Sequence, residues 1–165
     1  MKLSDGVEQA IHSVTMLAHL TPDGVLSAAA LAEFHGASPS YLLKHLQALS
    51  GAGLLDPVPG PRGGYRLAKP AEDISLLDIV IAVDGAQPAF RCNEIRQRGP
   101  NPLPGKPTKP CNIAAAMLRA ERAYRAELAR CSIADIITDL GETDTTGEIA
   151  ARSCAFLAIN ERRAT

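Results

Sequence analysis

The chain has 165 residues, enough to bury one sound core as a compact domain with or without an appendage, so no separate catalytic domain is expected. Its apolar share is 46%, with three Tyr, three Phe and no Trp, so the core must be built largely from Ala, Leu, Ile and Val, a composition suited to packed helices. The formal net charge of -1 is silent about nucleic acid, but the charge is uneven.

Between Ser38 and Pro70 stand Lys44, Arg62, Arg66 and Lys69 against Asp56 alone, whereas from Ser132 to Ala150 the charges are all acidic: Asp135, Asp139, Glu142, Asp144 and Glu148. A basic local face with an acidic stretch elsewhere is compatible with docking on phosphate; the same pattern also describes solvated surface. The opening MKLSDGVEQA lacks the apolar stretch of a secretory signal. No run approaches the roughly 18 residues needed to span a membrane, so a cytoplasmic location without a membrane partner is expected. In a reducing compartment Cys92, Cys111, Cys131 and Cys154 read as ligands, sensors or buried small groups rather than disulfides.

Val7, Ala10, Ile11, Val14 and Leu17 fall at three- and four-residue steps and predict a first helix, with Ser4 or Asp5 as cap. On it Glu8 and His12 lie one turn apart and project to the same side. Thr21 to Leu26, with Pro22, Asp23 and Gly24, reads as a turn. A second helix starts after Ser27, runs through Leu31 to about His35 and stops at Gly36. Ser38 then caps a third, with Pro39 at its first position and Tyr41, Leu42, Leu46 and Leu49 continuing an apolar face. Two short helices joined by a Gly-containing turn make a helix-turn-helix pattern.

Leu54, Leu55 and Val58 lead into Pro59-Gly60-Pro61-Arg62-Gly63-Gly64, and Tyr65-Arg66-Leu67 alternates as a returning strand would. A basic, glycine-rich hairpin directly after a recognition helix is a wing, whose glycines let backbone amides approach phosphate while Arg62 enters a minor groove. Ser75 caps a further helix through Ile79, Val80 and Val83, ended by Gly85. From Gln87 to Cys111 the chain is a long aperiodic loop rich in Pro, Gly, Arg, Lys and Asn, bounded by two cysteines, and such loops are usually functional. Beyond Asn112, the stripe Ile113, Met117, Ala120, Tyr124 and Leu128 marks a helix longer than a small reading head needs, which reads as a dimer helix. Ile133 to Leu140 and Ile149 to Ile159 read as short closing helices, among whose apolar positions Cys131 and Cys154 look structural.

The stretches MKLSDGVEQAI, SPSYLLKHLQALSGAGLL, GPRGGYRLAKP and ISLLDIVIAVDG together resemble the Rrf-type regulators, the family of the iron–sulfur assembly repressor IscR and the nitric-oxide sensor NsrR. The likeness covers about the first two-thirds of the chain. Iron–sulfur members hold three close cysteines in the loop that here begins at Phe90, whereas this sequence keeps Cys92 in FRCNEIRQRGP and Cys111 in TKPCNIA with none between. In this it is similar to the RsrR-like redox-sensing branch, and that resemblance implies Glu8, His12, Cys92 and Cys111 as ligands of a [2Fe-2S] cluster. It also implies that the helix pair and the loop pair come from different protomers of a homodimer.

Ligand chemistry is compatible with this set, because each iron of a [2Fe-2S] rhomb takes two protein ligands and imidazole can replace thiolate. Carboxylate is the unusual member. Zinc could use the same four groups, but structural zinc sites draw on closer cysteine pairs than the interval from Cys92 to Cys111. The expected architecture is mainly α with a small β-hairpin wing. It comprises a winged helix-turn-helix over 1–85, a cluster-binding loop over 86–111, and a dimerisation helix with C-terminal helices over 112–165. The expected function is a DNA-binding transcriptional regulator, a repressor, on a double-stranded operator. Ser38, Ser40, Tyr41, Lys44 and His45 would enter or flank the major groove, with Arg62, Gly63 and Gly64 at the wing contact. Rival readings are a cluster-free thiol switch or zinc regulator of the same fold, a winged-helix protein-interaction module, and a small metal-dependent enzyme with Glu8 as base. Against the enzyme, the sequence holds no phosphate loop, nucleophile elbow or HExxH-like motif.

Overall fold

The computed structural model describes residues 3–163. Its elements in chain order are α1 (Asp5–Leu17), β1 (Gly24–Val25), α2 (Ala28–His35), α3 (Pro39–Gly51), β2 (Leu55–Val58), β3 (Gly64–Leu67), α4 (Leu76–Asp84), α5 (Asn112–Arg130), α6 (Ile133–Thr143), α7 (Glu148–Asn160) and β4 (Arg162–Arg163). The fold is mainly α with a small antiparallel hairpin wing, as its periodicities predict. No helix among the described residues is long and apolar enough to cross a membrane.

Ala10, Val14 and Leu17 of α1, Leu31 of α2, Leu42, Leu46 and Leu49 of α3, and Ile79 of α4 form the buried core of the head. Local chemistry sets the ends of these helices. The Ser27 hydroxyl accepts from the Ala30 amide at the start of α2, and Gly36 closes that helix at φ +62°, a conformation open to a residue without Cβ. Ser75 and Asp78 form a reciprocal capping box on α4, and Ser132 and Asp135 repeat it on α6. Ser4 occupies the cap position of α1 but does not cap it. Instead its hydroxyl and amide donate to Asp84 at 2.5 and 3.1 Å, tying the start of α1 to the end of α4.

Strands β2 and β3 pair antiparallel, with Asp56 opposite Arg66. The expected turn over Thr21 to Leu26 also contains β1, and Leu26 exchanges both backbone hydrogen bonds with Tyr65 at 3.1 and 2.8 Å, fastening that segment to the wing. The remainder of the chain parts company at Cys131. Helix α5 leaves the head along α4, whereas Ile133 of α6 and Leu157 of α7 return to the head's core. The junction is a backbone exchange: Leu76 N–H donates to the Cys131 carbonyl and Ile133 N–H to the Ile74 carbonyl, both at 2.9 Å.

Candidate functional site

Two separate sets of side chains carry the chemistry. The first lies on α3 and the wing. Ser38, Ser40, Tyr41 and Lys44 are all exposed on the first two turns of α3, and the two serine hydroxyls stand 3.2 Å apart. Ser38 does not cap the helix through its side chain; its hydroxyl pairs instead with that of Ser40. His45 departs from this face. It is 5% exposed, packs edge-on against the Tyr41 ring at 4.4 Å, and lies so close to Gly6 of α1 that a Cβ there would overlap the imidazole. Burial, reinforced by Lys44 and opposed by Asp84, holds His45 below the ordinary histidine pKa.

On the wing, Asp56 accepts from Arg66 Nε and from its terminal nitrogen at 2.8 and 2.7 Å. The one acid of the basic stretch is thereby committed to Arg66, while Arg62 is exposed at the hairpin tip. Gly63 and Gly64 are needed sterically: a Cβ on Gly63 would enter the Val58 carbonyl, and one on Gly64 the Leu26 carbonyl.

The second set is two pairs of possible metal ligands. Glu8 and His12 are exposed on one side of α1, where with Ser4, Asp5 and Ile11 they line a shallow groove. The His12 ring lies 5.6 Å from that of His35. Burial, then His12, then Arg152 push His35 down to about 4, so His35 is a neutral neighbour at physiological pH.

Cys92 is exposed in the loop, and Cys111 sits at the opening of α5. The amides of Ala114 and Ile113, the unpaired donors of the first turn, hold the Cys111 thiol below the usual thiol range, with Arg96 adding to the effect and Glu94 opposing it. The Arg96 guanidinium feels both thiols, and it also spans the loop: it binds Glu94 at 2.5 and 2.9 Å and donates to the Lys109 carbonyl at 3.2 Å. At the loop's entry, buried Glu121 of α5 accepts from the Ala89 amide at 2.9 Å and from Arg125 at 3.0 Å, and Arg125 donates to the Gln87 carbonyl at 3.1 Å. Sequence reasoning passes over Arg96 and Glu121. The four-residue step from Glu121 to Arg125 is the one signal that could mark the second.

Among the described residues, no three His, Cys, Asp or Glu side chains come together as one metal-holding group. Each candidate pair is accessible, and neither is completed by the other within the chain. Cys131 differs from Cys111: burial and then Asp135, Asp139 and Glu127 raise its pKa.

Residues 3–139 match the Rrf2 family, described as iron-dependent transcriptional regulator. The chain belongs to the Rrf2 family. YffB of Lactococcus lactis, whose name places it among HTH-type transcriptional regulators, is 35% identical over 136 residues, spanning 82% of this chain and 86% of YffB. The HTH-type transcriptional regulator IscR of Photobacterium profundum is 36% identical over 93 residues, which is 56% of this chain and 54% of that protein.

Among solved structures, T. potens IscR covers 88% of this chain and 92% of its own at a TM-score of 0.65 and 23% identity, a likeness of fold. The oxidised form of Staphylococcus aureus CymR covers 82% and 95%, at 0.61 and 26%. This Rrf2-family chain is accordingly a DNA-binding transcriptional regulator with a winged helix-turn-helix, and the family's members are regulators rather than enzymes.

Proposed function

We propose that this Rrf2-family regulator is of the RsrR-like kind: a homodimer on a double-stranded operator, in the cytoplasm, whose DNA affinity follows the redox state of a [2Fe-2S] cluster. Cys92 and Cys111 of one protomer and Glu8 and His12 of the other are the ligands. The observation that carries this reading is the pairing of the donors: Glu8 and His12 line one groove on α1, and Cys92 and Cys111 both lie in the field of Arg96. The donors fit: two thiols beside one guanidinium, Cys111 held toward its thiolate, and an imidazole and a carboxylate on one helical face.

When bound, the cluster supplies a charge that changes by one electron. The chain's own residues relay that change. Helix α1 carries Glu8 and His12 and presses on α3 through Gly6 and His45, while Cys111 opens α5. Ile113 and Met117 of α5 remain exposed, at 66% and 45%, and form the apolar stripe that pairs two copies, as isologous dimers require. Ser38, Ser40, Tyr41 and Lys44 then enter or flank the major groove, with Lys44 on the phosphates, while Arg62, Gly63 and Gly64 hold the backbone. For the two redox states to differ tenfold in DNA affinity, about 1.4 kcal/mol of coupling suffices.

The test is anaerobic purification followed by absorption spectroscopy and iron and sulfide analysis. The expected result is a visible chromophore with equimolar iron and sulfide, lost from the Cys92→Ala, Cys111→Ala double variant. A wild-type spectrum retained by that variant would overturn the assignment.

One set of observations favours a second reading, a cluster-free thiol switch: exposed Cys92 and activated Cys111 sit in one arginine's field, and the similar CymR has been crystallised in an oxidised form. Colourless native protein in which these two cysteines form a reversible disulfide would select it.

A further inference from the structure

The C-terminal strand is not part of any winged-helix element read from the sequence, yet it is built onto the wing. Arg162 and Arg163 of β4 pair antiparallel with β1, Val25 opposite Arg162 and Gly24 opposite Arg163. Because Leu26, the next residue after β1, exchanges hydrogen bonds with Tyr65 of β3, β4 joins the ribbon that carries the wing. A second clamp fixes the register. Glu161 accepts from the Thr21 amide at 2.9 Å and from the Thr21 hydroxyl, and Gly24 lies so close to that carboxylate that a Cβ would overlap it.

Arg162 then reaches the wing tip, donating to the Pro61 carbonyl at 3.3 Å, one residue from Arg62. Both arginines are exposed, and neither is ion-paired among the described residues. Two carboxylates of the ribbon are otherwise engaged, Asp56 by Arg66 and Glu161 by Thr21. Successive side chains of a strand point to opposite faces, so Arg163, paired at the Gly24 end beside Asp23, is directed away from the face that Arg162 shares with the tip.

We infer that Arg162 is a second phosphate-binding arginine of the wing, joining Arg62 on the sugar-phosphate backbone of double-stranded DNA. The inference rests on the reading that the wing itself touches DNA. A guanidinium that uses one nitrogen on a backbone carbonyl keeps further donors for a phosphate oxygen, and that carbonyl fixes its direction. The contact is to backbone, so it adds affinity to every sequence rather than selecting one.

The test uses the full chain and a random-sequence DNA duplex titrated over a range of salt concentrations. Arg162→Ala should flatten the plot of log K against log salt by about 0.9 for each protomer that ceases to neutralise a phosphate, while Arg163→Ala leaves the slope as it is. Arg162→Lys retains the charge and should retain the slope, even though it cannot reproduce the guanidinium geometry. An unchanged slope in Arg162→Ala, an equal decrease in Arg163→Ala, or failure of Arg162→Lys to restore the wild-type slope would each overturn the inference. Arg62→Ala separates the two readings. If it flattens the slope and Arg162→Ala does not, only the C-terminal contact is wrong; if neither does, the wing reading has failed.

Discussion

Gly6 of α1 and His45 of α3 are packed so closely that the imidazole occupies the space a side chain at position 6 would need. This places the helix that carries Glu8 directly on α3, the helix proposed to enter the groove. Gly6→Ala forces either the ring or the helix aside, and overpacking of this kind costs about 1–3 kcal/mol. The expected outcome is a lower urea midpoint together with weaker operator binding. Equal stability and affinity in the variant would show that α1 and α3 are free to slide past each other.

Lys44 of α3 and Arg62 of the hairpin are exposed and form no ion pair among the described residues, whereas Arg66 is bound to Asp56. The Lys44→Ala, Arg62→Ala double variant should weaken binding to all duplexes and flatten the salt dependence by about 0.9 for each phosphate no longer neutralised. Salt-dependent fluorescence anisotropy measures this directly. Discrimination between operator and random DNA should change far less than affinity does.

If the two proposed ligand pairs come from different protomers, two defective variants should complement each other. Glu8→Ala, His12→Ala and Cys92→Ala, Cys111→Ala homodimers are each expected to lack the native cluster. Co-expressed as a heterodimer, they rebuild one intact site of the two, with about half the wild-type visible absorbance expected from this symmetry. A heterodimer that stays colourless while wild type is coloured would place all ligands within one protomer.

The thiols of Cys111 and Cys131 are shifted in opposite directions, one lowered by the opening amides of α5 and the other raised by burial and carboxylates. Thiolate is the reactive form, so in metal-free protein near neutral pH iodoacetamide should label Cys111 well before Cys131. Raising the pH populates the Cys131 thiolate later than that of Cys111, so the ratio of rates should narrow as alkalinity increases. Peptide mass spectrometry over a pH series would show it, and equal labelling at neutral pH would contradict the difference in environment.

The helices are legible in the sequence because their apolar periods and caps agree: Ser27, Gly36 and Ser75 each do locally what their positions predict. His45 is expected on the groove face for its polarity, yet it falls three residues after Leu42 and four before Leu49, on the buried stripe. Phase outweighs polarity here, and only the missing side chain of Gly6 makes room for the ring. Strand β4 carries no alternation that two residues could reveal, and its pairing is accompanied by Glu161 meeting Thr21, 140 residues earlier in the chain. The stripe of Ile113, Met117, Ala120, Tyr124 and Leu128 is visible, but a stripe does not say whether it faces the head or a second copy. The observed burial of Ala114 and Glu121 assigns the neighbouring face to the head.

Helix α5 is held unequally along its length. At its C-terminal end the paired backbone bonds between Ile74–Leu76 and Cys131–Ile133 act as a clamp, while toward Cys111 side chains such as Ala114, Glu121 and Arg125 are its attachments. With 19 residues it is a beam about 28 Å long, so a tilt of about 4° at the clamp carries the opposite end through about 2 Å. The cysteine lies at the tip of this beam, where a small angle gives the largest travel, and the clamp lies against the first residues of α4, whose far end grips Ser4. Leverage of this kind runs both ways: whatever seats the tip also sets the angle at which the reading head is carried.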